Sequence, residues 1–115
     1  MFKTMKLLTK DLKIRFARVG CQEEQVDPLV IAKFFDPTGG ATWYATEYYP
    51  AERLFFGYIS LFGDWNDEWG YFSLDELERY QGPLGIGIER DLYFEERPIS
   101  KIDPRAIEHR LNAEG

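Results

Sequence analysis

The stretch Gly70-Tyr71-Phe72-Ser73-Leu74-Asp75-Glu76-Leu77 constrains this chain more than any other, because it instructs a strand to become a helix. The Ser73 hydroxyl suits the orphan amides of a first helical turn, and Glu76, three residues on, is placed to reach back to the Ser73 amide. Phe72 and Leu77 occupy the two positions that staple across such a cap. A helix therefore starts here, and the aromatic run before it and the apolar run after it become strands that it connects and covers.

The remaining elements follow from similar signals. A first helix starting at Thr4 or Thr9 runs to about Arg18 and stops at Gly20, with Leu8, Leu12, Phe16 and Val19 along one buried stripe. Leu29 to Phe35 and Thr42 to Tyr49 are β-branched and aromatic, and the loop Asp36-Pro37-Thr38-Gly39-Gly40-Ala41 joins them as a hairpin. Register decides what the hairpin brings together. Pairing Phe35 with Trp43 puts Lys33 and Glu47 on one face, and pairing Phe35 with Thr42 separates them. Leu54 to Phe62 is apolar in both alternating sets, as a central strand covered on both sides would be. A turn over Gly63 to Asp67 leads to a short strand, Glu68 to Phe72. Gln81-Gly82-Pro83 ends the capped helix, with Gly82 suited to the left-handed position. Ile86 to Phe94 reads as the last strand. Asp103 and Pro104 then open a final helix to about Leu111, with Ile102 and Ile107 as its staple. The order gives one α+β domain over residues 1–115, a mainly antiparallel twisted sheet of about five strands with three helices.

Composition agrees with one ordered domain: 115 residues, 44% hydrophobic and 17% aromatic, supply one core and too little chain for two. The net charge of −6 is unevenly spread. Residues 1–18 carry six basic side chains against Asp11 alone, a local +5 that leaves −11 on the rest. An acidic body repels a nucleic-acid backbone and disfavours direct binding to it, although the basic first helix, through Lys10, Lys13 and Arg15, offers an alternative contact. The single cysteine, Cys21, makes no internal disulfide, and with one histidine it closes no zinc site. With no membrane-spanning run or signal-peptide pattern, a cytoplasmic protein without membrane contact is expected.

Catalytic signals are weak. Asp64, Asn66 and Glu68 begin like a calcium loop, but Trp69 stands where glycine is needed and Asp75 where glutamate is needed. Gly85-Ile86-Gly87 lacks the third glycine of a dinucleotide fingerprint, and Cys21 with His109 makes only a conceivable nucleophile pair. Glu89 and Asp91 share a strand face, as wet faces often do. Arg90 falls among apolar neighbours and calls for a carboxylate, so Lys33, Trp43, Glu47, Glu68 and Arg90 form a candidate charge cluster, either a ligand site or a structural ion pair.

Five blocks in order resemble the family called domain of unknown function 2958: Lys33-Phe34-Phe35-Asp36-Pro37, Trp43-Tyr44-Ala45-Thr46-Glu47, Phe56-Gly57, Gly70 to Leu77, and Gly85 with Ile88-Glu89-Arg90-Asp91-Leu92-Tyr93-Phe94. The likeness covers about residues 7–100 and leaves the C-terminal helix, about 103–112, outside. It implies a small bacterial protein often encoded on plasmids, phages and conjugative elements, and it brings no catalytic residue. The resulting expectation is a non-catalytic module that binds a protein partner, such as a host defence or DNA-processing protein, as an imitation of DNA would, through an acidic face of Asp64, Asp67, Glu68, Glu89 and Asp91. The alternative is a small hydrolase or transferase with its pocket at the Lys33, Trp43, Glu47, Glu68 and Arg90 cluster. No cofactor and no metal are expected in either case.

Overall fold

A computed structural model describes residues 6–61 and 67–114 of the chain. Its order is α1 (Lys10–Val19), β1 (Leu29–Val30), β2 (Ala32–Phe35), β3 (Thr42–Tyr49), β4 (Leu54–Ser60), β5 (Glu68–Ser73), α2 (Leu74–Arg79), β6 (Glu89–Arg90), β7 (Arg97–Pro98) and α3 (Arg105–Glu114). Five strands form one antiparallel sheet in the order β5-β4-β3-β2-β6, and β1 pairs with β7 in a separate two-stranded ribbon. The fold is α+β.

The helices begin where the caps direct. Thr9 Oγ1 accepts from the Leu12 amide at 3.2 Å, and Gly20 takes the left-handed stop of α1 at φ 71°. Ser73 Oγ accepts from the Glu76 amide at 3.2 Å, and the staple residues Phe72 and Leu77 are both buried. For α3, Asp103 Oδ1 accepts from the Arg105 amide at 3.0 Å, while Ile102 and Ile107 pack against the core beneath.

Two apolar clusters sandwich the sheet. On one face Phe16 of α1 meets Tyr48 and Phe55, and Phe34, Phe72, Leu74 and Leu77 complete that cluster. On the other face Val30, Tyr58, Ile99 and Ala106 are joined by Tyr44, Trp69 and Ile107. Placing β4 inside the sheet explains why both of its alternating sets are apolar.

Four expectations need correction. The run Leu29–Phe35 is two strands, because the chain leaves the ribbon at Ile31, whose amide goes to the Ala45 carbonyl at 2.9 Å. The strand expected over Ile86–Phe94 shrinks to Glu89–Arg90. Pro83–Gly85 forms a 3-10 turn before it, and Phe94 folds back onto the Asp91 carbonyl after it. Gly82 is not left-handed; Leu84 at φ 61° and Gly85 at φ 73° are, and α2 already ends at Tyr80. The register joins Phe35 to Thr42, yet Lys33 and Glu47 still share a face. A bulge between Ala45 and Glu47 inserts Thr46 and restores Glu47 to the face of Tyr44 and Lys33. The Gly63 to Asp67 turn lies outside the described residues, Asp67 excepted.

Candidate functional site

The bulge builds the site. Thr46 turns inward, fully buried, with its hydroxyl donating to the Phe56 carbonyl at 3.1 Å. Glu47 is thereby aimed across the face where Phe56 and Tyr71 follow it in one transverse row, with Tyr49 and Trp69 alongside. These four rings and Glu47 line a partly open cavity of about 190 Å³, with Glu23 from the α1–β1 connection and Arg110 from α3 also on its wall. Phe56 lies stacked against Trp69 at 6.0 Å and edge-on to Tyr71 at 4.9 Å, and Tyr49 tilts towards Tyr71 at 6.2 Å. Tyr71 is 63% exposed, so the cavity meets solvent along that rim.

The walls are held by a polar frame beside them. Gln22 is buried, and its side chain bonds the Leu29 and Thr46 carbonyls and accepts from the Leu29 amide, fixing the connection against the bulge. Arg110, only 5% exposed, donates to the carbonyls of Gln22, Glu23 and Gln25 at 2.7 to 3.0 Å and lays its guanidinium 4.7 Å from the Trp69 ring centroid. The indole of Trp69 in turn donates to the Ala106 carbonyl at 2.8 Å. One cation thus closes the connection, the helix and one aromatic wall together.

Glu47 is 4% exposed. Its Oε2 accepts from the Gln22 amide at 3.1 Å and its Oε1 from the Tyr49 hydroxyl. Both donors are neutral, and among the described residues no lysine, arginine or histidine nitrogen forms an ion pair with it. That donation to Glu47, reinforced by burial, holds the Tyr49 phenol well above the usual tyrosine range, so it remains a donor. The site is a buried carboxylate in an aromatic box.

The candidate cluster read from the sequence divides between the two faces. Arg90, Trp43 and Glu68 lie in one row on the α1 face, running through Phe34 and Ile59, but Arg90 and Glu68 stand on opposite edge strands. Four strand spacings, about 19 Å, separate them. Arg90 donates to the Lys6 and Leu7 carbonyls at 2.7 and 3.1 Å, which ties the N-terminal segment to the sheet edge, and Trp43 packs on the core. Lys33 lies on the other face and pairs with Asp91 at 3.4 Å. Of the five, Glu47 alone lines the aromatic cavity.

The five acids expected on one surface are also dispersed. Glu89 and Asp91 sit on the β6 edge and exposed Glu68 on the β5 edge. Asp67 is buried, accepting from Ser60 Oγ at 2.9 Å and the Leu61 amide at 3.2 Å. Asp64, with the start of the calcium-like run, lies outside the described residues. His109 packs edge-on against Tyr58 and Cys21 is exposed. Among the described residues no group of three or more His, Cys, Asp or Glu could hold a metal ion, and no helix is long and apolar enough to cross a membrane.

Sequence reasoning missed Tyr49, Phe56, Trp69, Tyr71 and Arg110 as one constellation. Four of them are alternate-position aromatics on neighbouring strands, a signal that becomes readable only once register and bulge are known.

The fold and site together define a small α+β domain with an aromatic, carboxylate-bearing pocket on one sheet face. Residues 7–108 match the family described as Protein of unknown function (DUF2958), and the chain belongs to that family. The match runs through the α3 start and covers the pocket apart from Arg110. No curated protein and no solved structure matches the chain.

Proposed function

We propose that this protein is a non-catalytic binding module that engages a basic surface of a partner protein through the Glu47 pocket. The observation that carries this reading is the buried carboxylate whose donors among the described residues are neutral, set among four aromatic rings and open past Tyr71. Taking a charge out of water is costly unless an opposite charge compensates it, and a partner cation would supply that compensation. The chain's net charge of −6 favours approach to a basic surface from a distance. Nucleic-acid-processing and defence proteins present such surfaces, and action in the cytoplasm on one of them, from a gene carried on a mobile element, is the setting in which we place the module.

Capture from host lysate on the immobilised protein tests this reading. The comparison is between wild type, the pocket variant Glu47→Gln with Tyr71→Ala, and the edge variant Glu68→Lys with Asp91→Lys. The expected result is a basic partner, released by salt, that rebinds purified wild type and is weakened about tenfold by the pocket variant, more than by the edge variant. A partner indifferent to the pocket variant, or none that it releases, would overturn the proposal.

A further inference from the structure

We infer that the pocket takes an alkylammonium group, the end of a lysine side chain, plain or methylated. This inference rests on the binding-module reading but concerns the chemistry of the pocket alone.

Charge comes first. Among the described residues the lining holds two carboxylates, Glu23 and Glu47, and one cation, Arg110, a balance of one negative charge. Arg110 is already committed to three backbone carbonyls and to the Trp69 face. Of the two carboxylates Glu23 is exposed and Glu47 is buried, and at the buried one the lower dielectric strengthens the pull on an incoming cation.

Shape selects among cations. A guanidinium wants a flat aromatic face and a carboxylate edge with both oxygens free for a fork. At Trp69 that place is already taken by Arg110, and on Glu47 each oxygen already accepts one hydrogen bond, from Gln22 and from Tyr49, so a two-pronged in-plane approach competes with donors already in place. The remaining walls suit a compact, roughly spherical charge. Tyr71 stands at 65° to Phe56, and Tyr49 is inclined 51° to Tyr71, so these rings present faces and edges in several directions. An ammonium needs no fork geometry and gains from each ring face that it meets. Methylation would spread its charge over a larger apolar surface and suit the box further. A free carboxylate or phosphate is disfavoured by Glu47 itself.

The test is a titration of the whole protein, followed through the indole N–H signal of Trp69 and the backbone amides of Tyr49 and Tyr71. Three probes are compared: N-acetyl-lysine methylamide, its Nε-trimethyl form and the neutral N-acetyl-norleucine methylamide. The expected result is saturable shifts at these positions with both cations, with the neutral probe weaker by about tenfold or more. Glu47→Gln should weaken the cations to the level of the neutral probe. Because Tyr71 is exposed, Tyr71→Ala keeps the fold and should cost about threefold to tenfold, while Tyr71→Phe, which retains the ring, should bind like wild type. Equal binding of norleucine and lysine probes, cation shifts that Tyr71→Ala leaves unchanged, or no shifts at these positions would overturn the inference. Probe binding without any basic protein partner would preserve this inference and count against the binding-module reading alone. A pocket-dependent protein partner combined with failure of the cationic probes would do the reverse.

Discussion

Two buried groups carry most of what single residues explain. Tyr58 is fully buried, and among the described residues its hydroxyl has no hydrogen-bond partner. Burial, with Asp103 and Asp67 near it, pushes this phenol up to about 12. A raised value means that the folded state holds the proton more tightly than the unfolded chain. The associated stability is complete below the ordinary value of 10.0 and is lost as pH climbs from there towards about 12. We expect stability measured by urea unfolding to fall across that interval, and Tyr58→Phe to flatten the fall. At neutral pH the same substitution removes an unsatisfied hydroxyl and should stabilise by about 1 kcal/mol; a loss of that size would mean that the hydroxyl has a partner. Gly57 shows the opposite constraint. A Cβ there would lie 1.9 Å from the Tyr44 carbonyl oxygen, a backbone atom beside the bulge. Gly57→Ala should therefore cost about 3 kcal/mol or more by chemical denaturation, beyond ordinary overpacking.

At the scale of elements, caps and one bulge do the positioning. The Ser73 cap was legible in the sequence because its chemistry is local: a hydroxyl, a glutamate three residues on and two flanking apolar side chains. Asp103 was legible for the same reason. Its carboxyl is held below the ordinary range, chiefly by the hydrogen bonds from the Arg105 side chain. A lowered value gives stability that is present above the ordinary carboxylate pKa and disappears as pH falls through the folded value. Asp103→Ala should cost about 1 kcal/mol at pH 7 and almost nothing in strong acid, as comparative thermal melts would reveal. The Thr46 bulge was not legible. It depends on Gln22 bonding the Thr46 carbonyl across a separation of 24 residues, and no local pattern announces that. The alternation along β3 read correctly as far as Ala45, and the inserted residue reversed the parity for Glu47. For a related reason β6 is shorter than its sequence predicts. Its apolar alternation continues after Arg90, but the chain departs from the sheet edge to form the Asp91–Phe94 turn.

At the scale of the whole molecule, the sheet separates two tasks. The α1 face holds the larger aromatic core, and Arg90 fastens residues 6 and 7 there by their carbonyls. The opposite face holds α3 and the pocket, with Arg110 as the link. Long side chains that both pack and bond across elements lose more than a charge when truncated. Arg110→Ala should destabilise by about 2 to 3 kcal/mol and raise amide exchange in residues 22–25 before it affects β4, seen by hydrogen-exchange mass spectrometry. Fold class, the internal position of β4 and the family were readable from the sequence, since they depend on periodicity and ordered blocks. The pocket was readable only in Glu47, since the other walls meet it through pairings between distant strands. The charge of the chain was readable as a sum but not as a surface, because Glu68 and Asp91 project from opposite edges of one sheet and Asp67 turns inward.

The most direct measurement is a crystal structure of the protein with the Nε-trimethyl-lysine probe bound. An ammonium seated within about 6 Å of the Phe56 and Tyr71 ring centroids, on the Glu47 side of the cavity, is the expected result. Density for the probe elsewhere, with the aromatic box empty, would contradict the account.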